Sequence, residues 1–504
     1  MKNPAPSICV LLAAAAATAG PPPASAGPDL LGTFEKKVTR HTLANGWRFL
    51  IVEERDAPVV SFFTHVDVGA AQEHYGITGL AHMFEHMAFK GTDRIGTTDA
   101  RAEAEAIARI EAAMLELKAE RQKVGGPGPE KLKALEAAFK QAEEAAEKFV
   151  KANEFGEIID KNGGVGLNAF TNSDETGYFF SLPANKVELW AYLESERFLR
   201  PVFRQFYKER DVVKEERRMR TDSRSQGRLN EEFNGAAFRA HPYGHPVVGH
   251  MSDLDSFTLT DAMEFHRKYY VPANMVTAVV GDVKAPAVIP VLEAYFGRIP
   301  GAPASEPLRT VEPPQKAERR VSLFDPGQPL YFEGYHVPDI THPDTPALDA
   351  LTEVLGRGRT SRLYREMVRD QKIAASVFAF TPGGKYPGLV NFRVVPTPGH
   401  KAGEMAEPIH RHIKKLQAEL LTPEELQQVK SRALADLVRG LGDNQGLAIN
   451  LVNYEAYFGD WRALFRNVEK IEKVTAEDVQ RVAREYLKPE NRTVGLIVKD
   501  ESEL

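Results

Sequence analysis

Residues 297–314 of this 504-residue chain read GRIPGAPASEPLRTVEPP, with five prolines in eighteen positions. Proline fixes φ and offers no backbone donor, so neither a continuous helix nor a central strand can run through such a stretch. The stretch therefore divides the chain into two halves, and residues 301–318 are predicted to be the linker. The two sides look like copies. Residues 258–274 (TLTDAMEFHRKYYVPAN) overlay residues 475–491 (TAEDVQRVAREYLKPEN) at a constant offset of 217, matching at Thr258/Thr475, Asp261/Asp478, Arg267/Arg484, Tyr269/Tyr486, Pro272/Pro489 and Asn274/Asn491. Each copy reads as a capped amphipathic helix, a Pro-Asn turn and an apolar strand. Its place at the end of each half predicts a duplicated α+β domain, over residues 27–300 and 319–504.

Charge narrows the function classes. Sixty-four basic residues stand against seventy acidic ones, a net charge of −6, so nothing favours a nucleic-acid partner. A single cysteine, Cys9, excludes a disulfide scaffold and a thiolate metal cage. Residues 1–26 differ from the rest: Lys2, an apolar alanine-rich run over 8–20, and Ala24-Ser25-Ala26 form the pattern of a cleavable bacterial secretory signal. The apolar run is short for a membrane span, and no lipobox leucine precedes Cys9. The mature protein is thus expected to be periplasmic or secreted, with no stable membrane span.

Within the first half, Asn45-Gly46 ahead of an apolar run signals a hairpin over 41–53, and residues 58–68 alternate as a half-buried strand does. Residues 78–89 carry a helix pattern. Residues 99–155 are rich in Ala, Glu and Lys and are broken once by Gly125-Gly126-Pro127-Gly128-Pro129, which predicts a solvated helical hairpin inserted between core elements. A charged helix is expected over 208–221.

The chemistry concentrates in His82-Met83-Phe84-Glu85-His86. Residues four apart share one helix face, so both imidazoles can reach one metal ion, and Glu85 points to the same side. Neutral imidazole is a usual zinc ligand, and two helical ligands leave room for a third protein group and water. Zinc lowers that water's pKa to roughly 7, within reach of Glu85 as base. This is the inverted zincin order, His-x-x-Glu-His. The apolar neighbours Leu80, Met83, Phe84 and Met87 predict a buried helix, where unliganded histidines would be costly.

The third ligand is expected to be a carboxylate from the 208–221 helix, which offers Glu209, Glu215 and Glu216. Seven residues make almost two turns, so Glu209 and Glu216 share a face, with Glu215 turned about 100° away. Glu216 as ligand with Glu209 supporting it from behind is a coherent pair. His241 and His245 read as loop residues beside Pro242 and Gly244, and His410 and His412 as surface residues on different helix faces.

HMFEHMAFKGT, GLNAFTNSDETGYFF and ERDVVKEERRMR together resemble the pitrilysin/insulinase (M16) family of inverzincin peptidases, which includes mitochondrial processing peptidase. The likeness extends to HPYGHPVVG at 241–249 and to TSRLYREM in the second half. It implies two related α/β-sandwich domains forming a clam-like chamber, one zinc ion per chain held by His82, His86 and Glu216, and Glu85 as catalytic base. The gap from His86 to Glu216 is longer than the family's usual one, and the 99–155 hairpin accounts for the excess. The resemblance also implies that the peptide substrate adds as a strand to Asn168-Ala169-Phe170-Thr171. Active members carry an Arg and, seven residues later, a Tyr in the second half. Here Arg369 fills the first position but Ser376 stands at the second, and losing an oxyanion donor costs about 10²–10³ in rate. Bacterial relatives divide these parts between two chains. This chain is accordingly expected to be the zinc-bearing member of a heterodimer whose partner lacks the zinc motif but has the Arg/Tyr pair. The competing expectation is a non-catalytic structural or assembly subunit.

Overall fold

The computed structural model describes residues 30–500; the expected signal, 1–26, and Cys9 within it lie outside the described residues. Two sheets organise the chain. The first is built from β1 (Val38–Thr42), β2 (Arg48–Glu53), β3 (Val59–Val66), β4 (Val165–Thr171), β5 (Thr176–Pro183) and β6 (Met275–Gly281), in the order β1-β2-β6-β3-β5-β4. The second contains β7 (Arg319–Phe324), β8 (Leu330–Val337), β9 (Ala374–Phe380), β10 (Gly388–Pro396) and β11 (Arg492–Val498), in the order β7-β11-β8-β10-β9. In both, the last strand of the half inserts between a parallel neighbour and an antiparallel one: β6 between β2 and β3, β11 between β7 and β8.

The repeated segment explains this common topology residue by residue. Thr258 and Thr475 each cap a helix (Leu259–Tyr269 and Ala476–Tyr486) in a reciprocal box with Asp261 and Asp478. Asn274 and Asn491 then each donate from Nδ2, over 2.8 Å, to the carbonyl of Tyr269 or Tyr486, turning the chain back into the sheet. The matched residues are the hinge between last helix and last strand.

The half-buried pattern expected for residues 58–68 is corrected. Every residue of β3 but Val59 is buried, and so is all of β6. The second face of the first sheet is covered by a helix from the other half, Asn444–Phe458, whose Leu447, Ala448, Leu451 and Val452 pack with Leu50, Phe63, Val276 and Val280. The exchange is reciprocal. The first half sends helix Ser225–Ala237 onto the second sheet, where Phe233 meets Phe332 with ring centroids 4.2 Å apart. Phe233 rests where Gly334 and Gly495 lack side chains; a Cβ there would stand 2.9 and 3.1 Å from its ring. Between the halves remains a cavity of about 530 Å³, lined by Asp174, Glu175, Tyr243, Asn391, Asn453 and Tyr457 among others.

Residues 301–318 hold no helix or strand; Glu312 anchors them by accepting the backbone N–H groups of Arg239, Ala240 and His241 at 2.9–3.0 Å. The alanine-rich segment forms helices Ala100–Arg121 and Pro129–Glu147, followed by a third, Glu154–Lys161. The first buries Ile110, Met114 and Leu117 in the main core, whereas Ala146 alone is buried in the second. Among the described residues no helix is long and apolar enough to cross a membrane.

Candidate metal centre

The motif occupies helix Leu80–Met87. Leu80, Met83, Phe84 and Met87 turn into the core of the first half, leaving His82, Glu85 and His86 on the opposite side. The residue before the helix is Gly79, at φ +91°, so close to the 241–249 segment that a Cβ would meet the Val248 carbonyl at 2.6 Å. Gly cannot cap with a side chain, and the cap comes from a distance. Glu73 accepts from the N–H groups of Gly79 (2.8 Å) and Ala81 (2.6 Å). Asp253 accepts from Gly76 N (2.9 Å) and from Thr78 N (3.2 Å) and Oγ1 (2.7 Å). Burial pushes the Glu73 carboxyl up to about 8, against the pull of its backbone donors.

The facing helix, Phe206–Arg217, buries Phe206, Tyr207, Arg210, Val213 and Arg217. That orientation turns Glu209 and Glu216 toward the motif helix and leaves Glu215 exposed beside Arg218, as the spacing predicted. Just before this helix, Arg204 is buried with all five guanidinium N–H groups used. Two go to the Glu103 carboxylate, both at 2.8 Å. The others reach the carbonyls of Thr92 (2.7 Å), Ile95 (2.9 Å) and Lys90. One side chain thus ties the turn after the motif helix, the start of the facing helix and the first hairpin helix together.

His82, His86 and Glu216 each present one ligand atom, all within 4.8 Å of one another, the only such metal-competent group of three among the described residues. Glu216 Oε2 lies 3.7 Å from His82 Nε2 and 3.4 Å from His86 Nε2. The His86 Nδ1 hydrogen bond to Glu209 Oε1, 3.0 Å, leaves Nε2 as the free ring nitrogen. Lys90 Nζ holds the other Glu209 oxygen at 2.5 Å. Two imidazole nitrogens and one carboxylate oxygen are a donor set that suits zinc, so these residues fit the ion the motif implies.

Burial, aided by the neighbouring His86, pushes His82 down to about 4, the neutral form a ligand needs. Burial also acts against a charge on His86, but the hydrogen bond to Glu209 and the nearby carboxylates outweigh it, and its pKa rises. Burial raises the Glu85 carboxyl above its ordinary range. The Thr171 hydroxyl pulls the other way, from a position short of good hydrogen-bond geometry, and is otherwise buried without a partner. A cavity of about 520 Å³ opens onto Glu85 and His86, walled by Phe89, Lys90, Val150 and Glu209.

The Asn168–Thr171 segment is in β4, the outermost strand of its sheet, paired on one side only with β5. Its Thr171 adjoins Glu85, so the strand edge runs beside the triad. Arg369 is not brought to this group. It lies in the second half, exposed, with its guanidinium on Asp370 at 2.7 and 3.0 Å. Ser376 is half-buried in β9, the edge strand that corresponds to β4. His241 sits in a short turn, as expected for a loop, though buried. The surface reading of His410 and His412 is corrected. His410 Nε2 lies 2.8 Å from the fully buried Glu333, and His412 lies 2.8 Å from Glu366. Sequence spacing missed Glu73, Arg204 and Asp253, whose partners are distant or are backbone groups that leave no pattern.

Two sheets of common topology with a His-x-x-Glu-His helix in the first half place the chain among two-domain folds of the peptidase class. The model described as insulinase (peptidase family M16) matches residues 48–116 and 142–250, and that described as peptidase M16 inactive domain matches residues 256–433. The chain belongs to peptidase family M16. The first model passes over 117–141, the outer part of the helical hairpin. Zinc protease PqqE of Helicobacter pylori is 28% identical over 459 residues, 90% of each chain. The crystal structure of a protease from Helicobacter pylori superposes with a TM-score of 0.77 at 27% identity, covering 92% of this chain and 99% of that one. The periplasmic protease PqqL of Escherichia coli has a TM-score of 0.68 at 18% identity, over 93% of this chain and 48% of that one, and shows a common fold.

Proposed function

We propose that this chain is a zinc endopeptidase acting on peptides or small unfolded proteins, with one zinc ion held by His82, His86 and Glu216. The observation carrying the reading is the convergence of those three ligand atoms beside a carboxyl, Glu85, whose pKa burial raises toward the range useful for proton transfer. Zinc, when bound, lowers the pKa of water to roughly 7 and polarises a carbonyl. Glu85 takes the proton of the attacking water on a carboxylate oxygen and returns it to the amine that leaves. Glu209 keeps His86 in the tautomer that presents Nε2. The free edge of β4 along Asn168, Ala169, Phe170 and Thr171 offers the backbone groups of alternate residues to an extended peptide, which displaces the Asn168 side chain from the Ala169 N–H it accepts at 2.9 Å.

A heterodimer completes the proposal. Ser376 occupies the position where a tyrosine donor is expected, and Arg369 points to the surface of the second half rather than to the triad. A related chain without the zinc motif supplies the Arg/Tyr pair, and the signal-like residues 1–26 carry the protein to the periplasm or outside the cell. The test is metal analysis of the purified chain with hydrolysis of a quenched peptide, alone and with candidate partner chains. The peptidase reading predicts about one zinc per chain and metal-dependent cleavage. A fully loaded monomer or homodimer turning over at about 1 s⁻¹ or faster rejects partner dependence, and a chain that binds no zinc rejects the peptidase.

A further inference from the structure

The helix bearing Glu216 does not end cleanly. After Arg217 it widens into a π-helical turn, Arg218–Asp222, in which Ser223 N bonds the carbonyl five residues back, Arg218, at 2.9 Å. Such widened turns recur at functional sites. Here the turn is fixed from two directions. Ser223 Oγ caps the carbonyls of Arg218 (2.7 Å) and Met219 (3.2 Å). Gly227 packs so tightly against it that a Cβ would stand 2.3 Å from the Arg220 carbonyl oxygen.

Arg220 stands four residues after Glu216, on the same face of the helix. Arg220 Nη1 lies 2.5 Å from Glu216 Oε1, while the other oxygen, Oε2, faces both imidazoles. The Arg220 side chain is 73% exposed, and exposed pairs of this kind add only about 0–1 kcal/mol to stability. Stability is therefore a poor reason for the contact, and orientation is a better one. A carboxylate with a free Oε1 can rotate or bring both oxygens to one cation, which removes the open position that a peptidase needs for water or substrate.

Resting on the zinc-peptidase reading above, we infer that Arg220 is a positioning residue of the metal centre: by occupying Glu216 Oε1 it presents Oε2 alone to the ion. Partners that orient metal ligands typically change affinity by about 10–100-fold when removed. Arg220 thus does for Glu216 what Glu209 does for His86, and the two ligands from different helices each have their own support.

The test measures metal rather than activity. Zinc affinity is determined by chelator competition, and the visible absorption of the cobalt-loaded protein is recorded, for wild type, Arg220→Ala, Arg220→Lys and Glu216→Gln. The expected result is zinc binding at least tenfold weaker in Arg220→Ala with an altered cobalt spectrum, substantially restored by Arg220→Lys, whose ammonium can still reach Oε1. Glu216→Gln serves as the separate control on the site itself. If Glu216→Gln loses the metal while Arg220→Ala stays within threefold of wild type with an unchanged spectrum, Arg220 does not position the ligand and the inference is overturned, leaving the peptidase reading intact. If Glu216→Gln binds zinc as wild type does, the ligand assignment fails and the role of Arg220 falls with it.

Discussion

At the scale of single residues, the proposed function assigns holding metal and moving protons to different side chains. Glu85 lies beside the three ligand atoms without being one of them. Glu85→Gln keeps shape and removes the base, so it is expected to retain zinc while cutting peptide hydrolysis by about 10²–10⁴. Activity within tenfold of wild type at full metal occupancy would remove Glu85 from the mechanism. The paired glutamates give a sharper contrast. Glu216→Gln is expected to lower zinc content markedly and Glu215→Gln to leave it unchanged, since Glu215 faces solvent beside Arg218; metal analysis of both variants decides between them. This contrast was legible from spacing alone, because a helix fixes which side chains share a face. Arg204 was not. An arginine that satisfies three carbonyls and a glutamate a hundred residues away leaves no periodic trace, and in sequence it is one more charge among sixty-four basic residues.

At the scale of elements, the short motif helix depends on carboxylates outside it. Glu73 is fully buried with its pKa raised to about 8 from an ordinary 4.5. A carboxyl that is easier to protonate folded than unfolded binds an extra proton between those values. Stability therefore falls as pH rises through that window, by at most about 1.4 kcal/mol per pH unit. Histidines held down near 4, His82, His241 and His266, pull the other way between about 4 and 6.5, so the wild-type curve alone cannot isolate Glu73. Glu73→Gln cannot titrate. The stability difference between wild type and variant, from urea melts at pH 5, 6.5 and 8, is expected to shrink steadily as pH rises; a difference independent of pH contradicts the assignment. The same scale shows why β3 was misread. Its alternation promised one wet face, and no local pattern reveals that a helix nearly four hundred residues later covers it.

At the scale of the whole molecule, the exchanged helices decide how the halves cooperate. The duplication was legible in the repeat, but the exchange was not, since each crossing helix packs on strands of the other half and no local pattern names so distant a partner. Its energetic consequence is large. Without helix Asn444–Phe458 the first sheet exposes Leu50, Phe63, Val276, Ala278 and Val280, and without helix Ser225–Ala237 the second exposes Leu330, Phe332 and Ile497. Surfaces of that kind drive association or aggregation. Residues 301–318 supply none of the side chains in these two apolar clusters and are held by hydrogen bonds instead. Cutting the chain there, through a protease site inserted between Pro303 and Ser305, is therefore expected to leave a two-fragment complex that elutes at the mass of the intact chain and keeps its zinc. Residues 27–300 expressed alone should instead be insoluble or self-associated, and should recover solubility on co-expression with residues 319–504. The interface itself is tested by Phe233→Ala, which removes a ring wedged over Gly334 and Gly495 and is expected to cost about 3–5 kcal/mol. Fragments that separate on cutting and remain monomeric and folded would show that each sheet can do without the helix lent by the other half. The metal helix would then owe nothing to the second domain. Retention of the complex has the opposite meaning: the helix that follows the Glu216 turn is anchored in the far sheet, so the geometry of the metal centre is set by both halves together.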